Sequence, residues 1–186
     1  MRSTATRSSA LALLTCAVVA GAHPSGFHLK VTLTAARQQL SGLVVMDVDS
    51  GERCLLLREA VDADRDGLLS GDEVAKLKER LVKLATSRLE LGLSGARLPV
   101  QVKEAKVSLR DDRRANDAPL SVAVLFEVPL TSPLAEGMAL EVTAVAPDQS
   151  HVVLQVFQAG VQAPPFQQEV PSGTPARVRL GRLSDG

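Results

Sequence analysis

Five acidic side chains fall within the twelve residues from Asp62 to Glu73, with Arg65 as the only cation among them. Asp62, Asp64 and Asp66 alternate with Ala63 and Arg65, Gly67 follows, and Glu73 closes the run. Oxygen donors at this density suit a hard cation such as calcium, which takes six to eight oxygens at about 2.3–2.6 Å. The spacing fits that need position by position. Asp62, Asp64 and Asp66 stand at loop positions 1, 3 and 5, and Gly67 stands at position 6, where the chain must turn sharply. Leu68 at position 7 can offer its backbone carbonyl, Ser70 at position 9 can hold a water, and Glu73 at position 12 can reach back bidentately. Leu69, at position 8, should point inward. An empty loop of this charge repels itself, and an ion relieves the repulsion. Magnesium, which keeps its water and demands a tight octahedron, suits the loop less. An acidic solvated turn would explain the charge, but not Gly67 and Glu73 at those offsets with helical sequence on both sides.

The pattern is that of an EF-hand loop with metal ligands Asp62, Asp64, Asp66, Leu68, Ser70 and Glu73. Such loops usually pair, and no second one is found. Asp47-Val48-Asp49-Ser50-Gly51 lacks the third acid and the position-12 acid, and Asp111-Asp112-Arg113-Arg114 lies between predicted strands. A lone hand must then be braced by the rest of the domain.

The elements around the loop follow from periodicity. Phe27, Leu29, Val31 and Leu33 alternate with His28, Lys30, Thr32 and Thr34, which predicts a half-buried strand. A short link from Ala35 to Gln39 leads to a second strand, Leu43 to Val48, completing a hairpin. Asp49 and Glu52 read as a reciprocal cap on a helix running to Val61. After the loop, Val74, Leu77, Leu81 and Leu84 recur at helical spacing, and the helix should fade near Ser87. Leu89, Leu91 and Leu93 then alternate, and Ser94-Gly95 reads as a turn. Further strands are predicted at Val100–Leu109, Ser121–Leu130, Met138–Val145, Val152–Phe157 and Arg177–Leu180, separated by links at Asp111–Pro119 and Thr131–Gly137. Pro164-Pro165 and Pro171-Ser172-Gly173 mark the last part as irregular. The predicted fold is mainly β, sandwich-like, with an EF-hand helix–loop–helix inserted at 50–88, α+β overall.

Residues 1–22 read as a signal peptide. Arg2 and Arg7 precede an apolar run from Ala10 to Val19, and Ala20-Gly21-Ala22 supplies a small-x-small cleavage site. The run falls short of the ~20 apolar residues a bilayer needs. Cleavage near Ala22 would expose His23 at the head of a single domain spanning 23–186, in the periplasm or outside the cell. Acylation at Cys16 is the weaker route. Copper or nickel could be chelated by a terminal His23 amine and ring, but a frayed terminus is the plainer reading. Cys54 reads as a buried thiol on the first helix.

Several function classes are disfavoured. Acidic and basic residues balance at 21 each, which gives no reason to expect nucleic acid as a partner. Four Phe, with no Tyr or Trp, leave few rings for stacking on sugars or bases. The three histidines form no zinc-type cluster, and no phosphate cradle or nucleophile elbow occurs. Asp148, Ser150 and His151 are neighbours in sequence, which is weak ground for a catalytic triad. A non-enzyme is expected.

The chain resembles the exported N-terminal domain that precedes the membrane part of bacterial nickel/cobalt-type permeases of the hydrogenase/urease accessory kind. The resemblance runs over about His23 to Leu130. It rests on His23-Pro24 after the leader, the early hairpin, the loop Asp62 to Ser70, Leu89-Glu90-Leu91-Gly92, and Ser94-Gly95-Ala96-Arg97-Leu98-Pro99. No transmembrane segments follow, so transport is not carried over. What it implies is an accessory or protein-binding module acting beside a membrane metal-transport partner. The residues themselves point first to an exported, non-catalytic calcium-binding domain.

Overall fold

The computed structural model describes residues 26–109, 112–148 and 150–185. The expected leader, with Cys16 and the expected cleavage site near Ala22, and His23 lie outside the described residues. Alternation from Phe27 onward produces β1 (Phe27–Ala36), whose Phe27, Leu29, Val31 and Leu33 are buried while His28, Lys30, Thr32 and Thr34 opposite are not. β2 (Gln39–Val48) returns antiparallel, with Phe27 opposite Val48 and Ala36 opposite Gln39. The link expected from Ala35 to Gln39 is therefore only the pair Arg37-Gln38. The helix–loop–helix follows as α1 (Glu52–Glu59) and α2 (Gly71–Thr86), and then come β3 (Leu89–Leu93), β4 (Ala96–Leu98), β5 (Gln101–Ser108), β6 (Leu120–Val128), β7 (Ala139–Ala144), β8 (His151–Gln158), β9 (Phe166–Pro171) and β10 (Ala176–Arg179).

The strands form two sheets, ordered β5-β6-β2-β1-β8-β9 and β10-β7-β3-β4. Among the described residues the fold is mainly β with two helices, as expected. Both sheets and both helices feed one continuous apolar core. Pairing is antiparallel except between β1 and β8, which run parallel from Leu29 opposite Val152 to Ala35 opposite Gln158. α2 lies against β2, β5 and β6. Leu77 and Leu81 on its inner stripe are fully buried, each stabilising the fold by about 1.5–3 kcal/mol. Gly42 on β2 permits a close approach: a Cβ there would collide with the ring of Phe126 and lie 2.8 Å from Leu33 Cδ2.

Two further expectations need correction. Asp49 does not cap α1. The cap position is Gly51, with no side-chain cap bond, and the Asp49 carboxylate accepts from Gly26 N–H (3.3 Å) and faces His28 Nε2 at 2.9 Å. Hydrogen bonding to His28 holds its carboxyl below the ordinary range. The segment between Pro164-Pro165 and Gly173 is not irregular, because Phe166–Pro171 forms the edge strand β9 on β8.

Asp148 and Ser150 anchor the start of β1. Asp148 Oδ2 accepts from Phe27 N–H (2.8 Å) and Arg53 (3.1 Å), and the Ser150 hydroxyl donates to Phe27 O (2.8 Å). The Arg53 guanidinium also lies 5.3 Å from the Phe27 ring centre. His151 is the exposed first residue of β8, opposite Pro171. Burial opposes the charge on Asp148, but the bonds from Phe27, Ser150 and Arg53 outweigh it, and its carboxyl sits below its ordinary range. The native value is thus depressed, so the stabilisation is complete above the unfolded value near 3.9 and is lost as pH falls through the native one. Asp148→Asn should cost about 1–3 kcal/mol at pH 7, each kcal/mol lowering melting by about 2–4 °C. Circular-dichroism melts should show the two proteins converging as pH falls well below 3.9.

Candidate metal centre

α1 is short, and its last turn delivers the loop. The carbonyl of Arg58 accepts from Val61 N–H (3.0 Å) and Asp62 N–H (3.1 Å), which fixes where the first aspartate leaves the helix. From there each aspartate binds backbone ahead of it. Asp62 Oδ2 accepts from Gly67 N–H (3.1 Å), Asp64 Oδ1 from Asp66 N–H (3.3 Å), and Asp66 Oδ1 from Leu68 N–H (2.7 Å). Short aspartate side chains make such local turns readily, and here they curl the chain around one centre. Two left-handed residues complete the curl, Arg65 at φ 59° and Gly67 at φ 79°. The second is a conformation that glycine adopts without steric cost.

The result is that Asp62, Asp64 and Asp66 each bring one carboxylate oxygen within 4.8 Å of the others. Oxygens on one calcium sphere lie at most about 5 Å apart, so this spread suits a single ion. Asp62 Oδ1 adds an independent sign: it is buried and has no hydrogen-bond partner among the described residues. A buried carboxylate oxygen without a donor is costly, and a cation is the partner that would satisfy it. The residues present therefore fit a hard divalent cation. A cleft of about 490 Å³ lined by Glu59, Asp62, Arg65, Gly67 and Ala115 opens beside the loop.

Ser70 and Glu73 stand differently from the three aspartates. Ser70 caps α2: its hydroxyl accepts from Glu73 N–H (3.4 Å), and Glu73 reaches back in a capping box. Glu73 is 5% exposed. Its Oε1 accepts from Ala63 N–H (2.6 Å), and its Oε2 accepts from both Ser70 N–H (2.9 Å) and the Ser70 hydroxyl (2.8 Å). A carboxylate has about four acceptor sites, and three are used, so Glu73 has one to offer an ion as it stands. Those bonds, led by the one from Ala63, hold its carboxyl below the ordinary range. Bidentate binding by Glu73 would require it to release Ser70.

Leu69 is buried as expected, at 2% exposure, while Leu68 is exposed. The loop is braced by the connection between β5 and β6, whose sequence predicts only a link. Leu68 makes an antiparallel bridge with Arg114, through Leu69 N–H to Arg113 O (2.7 Å) and Ala115 N–H to Gly67 O (2.9 Å). No protein-family model matches this chain, and no curated protein matches it.

Proposed function

We propose that the protein is an exported, non-catalytic domain that binds one calcium ion at the loop Asp62–Glu73. The observation that carries this reading is the convergence of Asp62, Asp64 and Asp66 with Asp62 Oδ1 buried and unpartnered. Leu68 would add its carbonyl, Ser70 a bridging water, and Glu73 one or both oxygens. Because the ion would bind the folded loop and not the unfolded chain, calcium at a hundredfold excess over Kd should add about 2.7 kcal/mol of stability. The test is calorimetric titration of chelator-treated protein, paired with melting by circular dichroism with and without calcium. Binding at one ion per chain and a raised melting temperature are expected. No heat of binding and no shift would leave only an acidic turn. Intrinsic fluorescence is no substitute, since the chain has neither Tyr nor Trp.

A second reading, an accessory or protein-binding module for a membrane metal-transport protein, draws on the outer face of the larger sheet. Leu43 and Leu125 face each other across β2 and β6 and are both exposed, with Ala105 and Ala123 beside them around a shallow groove. Retention of an integral membrane protein by the unaltered domain, lost with Leu43→Glu, would favour it.

A further inference from the structure

Arg58 is fully buried, at 0% exposure, yet no carboxylate lies within ion-pair distance of it among the described residues. Its guanidinium donates from one nitrogen to Arg114 O (2.9 Å) and to Asn116 Oδ1, while Nε and the other terminal nitrogen have no partner among the described residues. A buried cation held this way costs several kcal/mol, and an apolar side chain of similar volume would serve the core at least as well. Stability is therefore weak ground for its place in the fold. The partners it reaches show another. Asn116 Nδ2 donates to Asp112 Oδ2 (2.6 Å), and Asp112 also accepts from Arg114 N–H (3.0 Å) and the Arg114 guanidinium. Asn116 Oδ1 further accepts from Ala118 N–H (3.1 Å). Asp112 to Asn116 is thus a self-organised segment, and its backbone is what pairs with Gly67 and Leu69 of the acidic loop.

The contacts close a ring. Arg58 holds the first ligand residue through its carbonyl, holds the Asp112–Asn116 segment through its guanidinium, and that segment holds the far side of the loop. We infer that Asp112–Asn116 stands in for the missing second hand, and that Arg58 is the positioning residue that sets its distance from the calcium loop. This inference rests on the calcium reading proposed above. It makes calcium affinity depend on a side chain that touches no ligand oxygen, and it couples the ion to the β5–β6 connection.

The test separates affinity from stability. In the full chain, Arg58→Met should weaken calcium binding about tenfold by calorimetry, the low end for outer residues that orient metal ligands. Its ion-free melting temperature should stay equal or rise. Arg58→Lys, which keeps one charged donor on a somewhat shorter side chain, should recover part of the affinity. Asn116→Ala, which leaves Arg58 in place but removes its acceptor, should weaken binding in the same direction and serves if the first variant folds poorly. Calcium affinity within twofold of the unaltered protein in both Arg58→Met and Asn116→Ala would overturn the inference while leaving the calcium reading intact. Affinity and ion-free melting falling together in every variant would overturn it as well, since that is ordinary loss of structure. No binding by the unaltered protein would overturn both readings.

Discussion

Asp62→Asn is expected to weaken calcium binding by about a hundredfold or more and to leave the melting temperature of the ion-free protein equal or slightly higher, since one charge of a self-repelling loop is removed. The amide keeps an oxygen for Gly67 N–H, so the turn survives. What it places at the buried, unpartnered position is a donor in place of an anionic oxygen. Two unit charges 4 Å apart interact by about 4 kcal/mol at an effective dielectric of 20, and a hundredfold in affinity is only about 2.7 kcal/mol. A loss of two decades is thus well within what one ligand charge can supply. Calorimetry on the two proteins decides it. Binding by the variant within threefold of the original would mean that Asp62 Oδ1 does not face the ion.

Glu73→Gln should behave differently, lowering both the calcium affinity and the stability of the ion-free protein. Both carboxylate oxygens of Glu73 accept backbone hydrogen, one from Ala63 and the other from Ser70. Whichever way the amide turns, its NH₂ group faces an N–H donor in a nearly buried site. Leaving such a donor unsatisfied costs about 1–3 kcal/mol. At about 2–4 °C per kcal/mol for a domain of this size, the ion-free melting temperature should drop by several degrees. The shift produced by calcium should nearly vanish as well. Arg65→Gln is the control, because it removes a positive charge from a position that offers no ligand and should keep or raise affinity. An ion-free melting temperature unchanged by Glu73→Gln would show that the capping bonds contribute little.

The contrast between these two substitutions bears on what could be read from the residues alone. The order of acids, glycine and glutamate in Asp62–Glu73 is local, and local spacing is what a sequence displays. The apolar alternation of β1 and the stripe on α2 were legible for the same reason. Glu73 is the instructive case: its position-12 role is visible, but its service as the bond between loop entry and helix cap depends on where Ala63 N–H arrives. Asp49 and Glu52 have the spacing of a cap, yet tertiary contact with Gly26 and His28 claims the aspartate first. β9 was hidden because an edge strand covered on one side can be polar, as Gln167-Gln168-Glu169 is, and prolines are tolerated at its ends. In the sequence Arg58 is one charged residue among several between Glu52 and Val61. Only the return of the chain at Arg114 and Asn116 makes it a buried cation, and no window of sequence contains both.

The parallel pairing of β1 with β8 has a consequence for how the chain becomes folded. β1 sits inside the larger sheet, but one of its two edges waits for a partner far along the chain: Leu29 meets Val152. Bringing those ends together costs about 4 kcal/mol of loop-closure entropy before any pairing is gained. The β1–β2 hairpin can form as soon as it is made, so the long-range closure is the slow event, as non-local topologies generally fold slowly. Until it happens, a ten-residue strand presents a free edge. Such an edge can template pairing with another molecule. The interval between formation of the β1–β2 hairpin and arrival of β8 is therefore when this protein is most prone to self-associate through β1, and a fragment ending before His151 would stay in that condition permanently.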